Sequence, residues 1–213
     1  MLKKLFPKKV GGLIRFHGLT NWWLSLTDEE RSKMKYYGAM GIARNSERID
    51  TGKILSSGIS QTFLSSIGAI AAHDKDLPFA EKILLKSLTV PDSNSIDTHF
   101  VYNYLIDLYY KQRSMRADAL DLCVEYCLKD VKIIKKFLSA WQKQYDRDRP
   151  KSERILPRIP SFGRLAIIYG NEGRYDDAIK LCKKAIKLGL HDGTKGDFQG
   201  RITRLEKKRD SLS

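Results

Sequence analysis

The strongest constraint on the fold lies between Ile159 and Leu190, in the stretch IPSFGRLAIIYGNEGRYDDAIKLCKKAIKLGL. Phe162, Leu165, Ala166 and Tyr169 share one face of a first helix, and Ala178, Cys182 and Ala185 share one face of a second. Asn171, Gly173 and Arg174 lie between them, so the stretch reads as two antiparallel helices joined by a tight turn. Small residues at 166 and 178 suit a close crossing, because helices approach only where neither presents bulk at the contact.

The same frame recurs twice upstream. Leu64, Ile67, Gly68 and Ala71 are followed by Ala80 and Leu84. Tyr102, Leu105, Ile106 and Tyr109, behind a cap at Asp97, are followed by Ala119 and Cys123, with one extra residue in the turn KQRSMRAD. A large residue, a leucine, a small residue and an aromatic, then alanine and a large residue on the return, resemble the tetratricopeptide repeat family. The chain departs from that pattern at Cys182, where a larger apolar residue is usual, and at Leu190, where a proline often stops the helix. A basic, WW-containing start ahead of the repeats is similar to that of uncharacterised bacterial members.

The resemblance implies an all-α fold of antiparallel helix-turn-helix repeats, stacked as a short right-handed solenoid. Three copies, near 61–92, 99–131 and 159–190, are enough for stacked pairs to bury one continuous core. Between the last two, Ile134, Phe137 or Leu138, Trp141 and Tyr145 repeat at three or four, which predicts an inserted helix over 131–145. Pro150, Pro157 and Pro160 then forbid a continuous helix. Phe198, Ile202 and Leu205 form the inward stripe of a terminal helix, read as a cap with a basic solvated face. The expected organisation is a basic arm over 1–20, a helical segment over 21–50, a repeat domain over 51–192 and the capping helix over 193–213.

In the arm, Lys3, Lys4, Lys8, Lys9 and Arg15 precede the first acid at Asp28, and Pro7, Lys8 and Lys9 interrupt any signal-peptide core. It reads as a solubilising tail, or alternatively as a basic arm on an anionic surface with Leu2, Leu5 and Phe6 as anchors. Thr27 and Glu30 make a capping box for a helix ending near Met34 or Tyr37, with at least one of Trp22 and Trp23 packed at its entry. Gly38 and Gly41 break the pattern and leave a linker from Asn45 to Gly52. Ile54 to Ala72 carries no charge, yet its serines and Gln61 recur on one side of a helix, which favours a helix covered on two sides over stable membrane insertion.

Lys and Arg number 39 against 25 Asp and Glu, a formal net charge of +14, which attracts anions or simply solvates the surface. Three cysteines without framework spacing argue for a reducing compartment, and a cytoplasmic location is expected. Catalytic signatures are lacking. Cys123 and Cys127 lie one turn apart but within an apolar stripe, and no second close pair completes a metal site. The four histidines are scattered without an HExxH arrangement, and there is no GxSxG turn or phosphate-cradling loop. The expectation is therefore a non-enzyme that needs no cofactor and no metal.

Two functional readings follow. In tetratricopeptide proteins the first helix of each pair lines a concave groove, and the resemblance places Asn103, Asp107, Tyr110, Lys111, Arg164, Ile167 and Asn171 there. A protein or peptide partner is implied, acidic in view of the charge. The clamp some members use for a C-terminal carboxylate needs Lys and Asn at positions held here by Gly163 and Asp107. The alternative is nucleic-acid binding through the basic stripe Lys180, Lys183, Lys184 and Lys187, with Lys132, Lys135, Lys136 and the termini adding to the field.

Overall fold

Thr27 and Glu30 make their capping box: each side chain bonds the other's backbone N–H, at 3.1 and 2.9 Å. The helix they start runs past its expected end, through Gly38 to Met40, because Gly38 leaves room for Ile49, whose Cδ1 would lie 2.5 Å from an added Cβ. A computed structural model describes residues 10–52, 54, 58–150 and 156–211. Among these it contains eleven helices and no strand: α1 (Gly12–Phe16), α2 (Thr20–Ser25), α3 (Asp28–Met40), α4 (Glu47–Asp50), α5 (Ser60–His73), α6 (Leu77–Ser87), α7 (Ser95–Gln112), α8 (Ala119–Tyr145), α9 (Pro160–Asn171), α10 (Tyr175–Lys187) and α11 (Asp197–Asp210). The all-α expectation holds. None of these helices is long and apolar enough to cross a membrane.

The chain packs as two compact units, one within the first 93 residues and one from Asn94 onward, so the boundary passes between the first and second expected copies. In the first unit, α5 and α6 form an antiparallel hairpin, with α3 against α5 and α1 against α4. Gly68 sits where α5 meets α6: a Cβ there would lie 2.7 Å from Leu84 Cγ. Phe63, Leu64, Ile67, Ala80, Ile83 and Leu84 are fully buried around it. Trp23 is buried, as the helix-entry reading requires, while Trp22 is half-buried with the Lys86 ammonium 5.9 Å from its ring.

Two expectations for this unit change, and a third holds from Ser60 onward. Residues 1–9 of the expected arm lie outside the described residues, but from Gly12 the chain is helical, and Leu13, Ile14 and Leu19 are buried. That part is core and not a tail. The expected linker over 45–52 contains α4, because Ile49 is fully buried and Gly11 N–H donates to Asp50 O at 2.6 Å. Residues 55–57 of the uncharged stretch lie outside the described residues; from Ser60 it is α5, with Ser60, Gln61 and Ser65 buried inside the unit.

In the second unit, α7 pairs with α8 and α9 with α10, α8 and α9 pack together, and α11 covers α10. α7 is capped three residues earlier than expected: Asn94 accepts from the N–H groups of Ile96 and Asp97, and Asp97 falls in the first turn. The return helix of the second copy and the expected inserted helix are one continuous α8 of 27 residues. No glycine or proline divides LKDVKII, the carboxylate of Asp130 is taken by His99 and Ser161, and the stripe Cys123, Cys127, Ile134 and Phe137 stays on one buried face throughout. Ile106 fills the position that is small in the other copies; small residues on the facing helix, Ala119 and Cys123, make room for it, and all three are fully buried.

Two of the turns share one geometry. After α9, Gly173 is left-handed at φ +75° and Arg174 N–H reaches back to Tyr169 O at 2.8 Å, the six-to-one bond of a glycine C-cap. After α5, Lys75 occupies the equivalent position at φ +66°, and Asp76 N–H bonds Ala71 O at 2.9 Å.

Candidate functional site

The residues assigned to the groove lie on α7 and α9, two helices in direct contact. Arg164 joins them: its Nη2 donates to Asp107 Oδ1 at 3.4 Å, and its guanidinium carbon lies 3.6 Å from the Tyr110 ring centroid. Arg113 approaches the same ring at 4.0 Å. Tyr110 thus carries two guanidinium groups, an arrangement favoured by the ring quadrupole. Asn103, one turn above Asp107, donates through Nδ2 to Arg158 O at 3.3 Å and contacts His99 Nε2 at 3.0 Å.

Two buried polar atoms at this face, Asn103 Oδ1 and Arg164 Nε, have no hydrogen-bond partner among the described residues. Nearly all buried polar atoms in folded proteins have one, so this pair is exceptional. Ile167 and Asn171 continue the face along α9. Ile167 borders two depressions of about 160 Å³ each, one shared with Arg158, Arg164, Asp192 and Arg201, the other with Asn171, Arg204 and Lys208. Both carboxylates in this neighbourhood are paired, Asp107 with Arg164 and Asp192 with Arg201 at 2.6 Å. The remaining cations leave the surface positive. Lys111 is exposed and belongs to no ion pair with the cluster.

Arg158, Arg201, Arg204 and Lys208 were not among the groove residues expected from the sequence. The α11 cations read as a solvated face, because a basic face opposite an apolar stripe looks the same whether it meets water or α9. The lysine stripe of the alternative reading does come together: Lys180, Lys183, Lys184 and Lys187 border one open depression of about 560 Å³ with Arg209, Asp176 and Glu206. Of the acids there, Asp176 is engaged by Arg209 at 2.8 Å, and none of the four lysines is ion-paired among the described residues.

Two clusters contain the residue types of nucleophilic catalysis, and neither is wired for it. His99, Asp130 and Ser161 are fully buried where α7, α8 and α9 meet. His99 Nδ1 bonds Asp130 Oδ1 at 2.6 Å and Ser161 Oγ donates to Asp130 Oδ2 at 2.7 Å, so serine and histidine share one carboxylate and His99 Nε2 faces Asn103. A nucleophile needs access to substrate as well as a base within reach; Ser161 reaches the Asp130 carboxylate, but it is fully buried. In the first unit, Ser60 Oγ donates to Asp92 at 2.8 Å and contacts His17 Nδ1 at 3.1 Å. The serine proton goes to the carboxylate, which leaves His17 as donor to Ser60 and not its base. Burial lowers the His17 pKa against the opposing pull of Asp92. Burial works against ionised Asp92 too, but bonds from the Ser60 N–H and hydroxyl bring its pKa below the ordinary value. The cluster clips Asp92 onto the first turn of α5.

Cys123, Cys127 and Cys182 are free and buried. Cys123 Sγ contacts Ile106 O at 3.6 Å. Its hydrogen bond with Cys127 lowers the Cys123 pKa and, with burial, raises that of Cys127. No group of three or more metal-ligating side chains is assembled among the described residues.

No protein-family pattern matches the chain, and no solved structure does. Among curated proteins it is similar to an uncharacterised protein of Aquifex aeolicus, strain VF5, 24% identical over 194 residues, which span 88% of this chain and 89% of that protein.

Proposed function

We propose that the second unit is a tetratricopeptide-like pair of hairpins, α7–α8 and α9–α10, capped by α11, and that the chain is a non-catalytic interaction module binding an acidic protein segment. The observation that carries this reading is the face shared by α7, α9 and α11. It holds two orphaned buried polar atoms, Asn103 Oδ1 and Arg164 Nε, beside Arg158, Arg201, Arg204 and Lys208. Acidic side chains of an extended segment match the charge of this face. The common turn at Gly173 and Lys75, and the tight contact at Gly68, support counting α5–α6 as a further copy.

The test uses two labelled peptide pools of equal length, one alternating Glu with apolar residues and one alternating Lys, titrated against the full chain by fluorescence polarisation. The acidic pool binds, more weakly as salt rises, and the double variant Arg164→Glu with Lys111→Glu loses at least about tenfold in affinity. A folded double variant that binds as well as the native chain removes the assignment. The lysine stripe on α10 supports a second reading, nucleic-acid binding. In that case Lys183→Glu with Lys187→Glu lowers affinity for an oligonucleotide, with a steep salt dependence, and Arg164→Glu with Lys111→Glu has no effect.

A further inference from the structure

A separate cavity of about 860 Å³ opens at the far end of α8, walled by Leu138 and Trp141 of that helix, Leu156 of the connector, and Leu188 and Leu190 after α10. Its size falls within the range of small-ligand sites, roughly 300–1,000 Å³. Asp146 also lines it, with its side chain 3% exposed. The cation nearest that carboxylate among the described residues is Arg149, at 3.8 Å and itself half exposed, beyond hydrogen-bond distance. Asp146 is also the C-cap of a 27-residue helix, where the helix dipole disfavours negative charge. A nearly buried carboxylate whose one cation among the described residues stands at 3.8 Å, at the negative end of a helix, is a costly arrangement until a closer cation joins it.

The other charged groups on this wall are already occupied or face water. Asp192 is bound by Arg201, His191 is held through Nδ1 by Asp197, and Arg158 is exposed. Among the described residues, the charge on this wall whose partner stands beyond hydrogen-bond distance is therefore that of Asp146. Trp141, its ring 4.3 Å from that of Tyr145, offers an aromatic surface to the same space. We propose that this cavity binds an amphipathic organic cation, with its ammonium group paired to Asp146 and its apolar body against Trp141 and the leucines. The site does not rest on the acidic-segment reading: it takes the opposite charge and its recognition side chains, Asp146 and Trp141, belong to α8 and not to that face, although Arg158 and Asp192 border both.

The probes are phenethylammonium, its neutral counterpart 2-phenylethanol, and a short peptide with blocked ends and one internal lysine, each titrated into the full chain by calorimetry at up to millimolar concentration. Phenethylammonium binds saturably and at least about tenfold more tightly than the alcohol, the discrimination expected of a charge-assisted bond. Asp146→Asn abolishes that preference and leaves the far-ultraviolet circular dichroism unchanged. Trp141→Leu weakens amine and alcohol alike. Tighter binding of the peptide than of the free amine, with the same dependence on Asp146, supports the site and identifies its occupant as a lysine side chain of a partner. Equal binding of amine and alcohol, a preference that survives Asp146→Asn, or no saturable binding of any ammonium probe overturns the proposal.

Discussion

Replacing Asp130 with alanine should be among the most damaging single changes in the second unit. It removes both acceptors of a fully buried cluster and leaves His99 Nδ1 and Ser161 Oγ without partners in sites that water does not reach. A hydrogen bond to a charged group contributes about 1.5–3 kcal/mol, and breaking a buried ionic cluster by removing one member costs about 3–5 kcal/mol. The alanine variant should therefore lose about 3–5 kcal/mol. Asparagine fits the same volume: its carbonyl accepts from His99 and its amide donates to Ser161, so Asp130→Asn loses only the charge assistance, roughly 1–2 kcal/mol. The assay is urea unfolding in a Trp22→Phe, Trp23→Phe background, which leaves Trp141 as the single indole and a reporter of the second unit alone. Trp141 lies 5.9 Å from Phe137, which stacks on His99 at 3.8 Å, so it reads the cluster's surroundings directly. With a slope of about 1.5 kcal/mol per molar urea, the alanine midpoint should fall by about 2–3 M. An alanine variant within about 1 kcal/mol of the native chain, or an asparagine variant as damaged as the alanine one, would refute the reasoning.

Two further outcomes follow from single residues. Lys75→Gly places glycine at a left-handed position that lysine holds at φ +66°, and should raise the stability of the first unit by about 0.5–1 kcal/mol in thermal or urea unfolding, whereas Lys75→Val should lower it. Asp192 is opposed by burial but held down by bonds from Thr194 and Arg201, which bring its pKa to about 2 from 3.8. A depressed carboxylate stabilises in full above its unfolded value and loses that contribution as pH falls. Between pH 4 and pH 2 the native chain should therefore lose about 2 kcal/mol more than Asp192→Asn, measured by urea midpoints at each pH.

The hairpins were legible because their signals are local. The stripes at 162–169 and 178–185, and their counterparts upstream, fix two antiparallel helices each, and the Thr27 capping box lies within four residues of chain. What was illegible depended on partners distant in sequence. Gly38 read as a breaker because nothing local reveals that Ile49 fills the space beside it. The junction at Val131 read as the start of a new helix because repeat length, and not local chemistry, had set the boundary. At the candidate site, Asp107, Tyr110 and Arg164 were nominated by position in the repeat and do meet, while Arg201, Arg204 and Lys208 sit on a helix whose basic face gave no sign of a neighbour. Asp130 carried a signal that could have been used: an acid within the stripe Cys123, Cys127, Ile134 and Phe137 implies a buried polar partner.

That acid also limits how α8 can lie. An apolar stripe repeats every three or four residues, so a helix with leucine or cysteine at 130 could slide by one turn against α7 and α9 and bury nearly the same area. With Asp130 in the stripe, a one-turn slide presses a carboxylate against hydrocarbon and strands His99 and Ser161 together. The alternative alignments are penalised at a single position, and the longest helix of the chain is held to one register by polar matching where area alone would leave several.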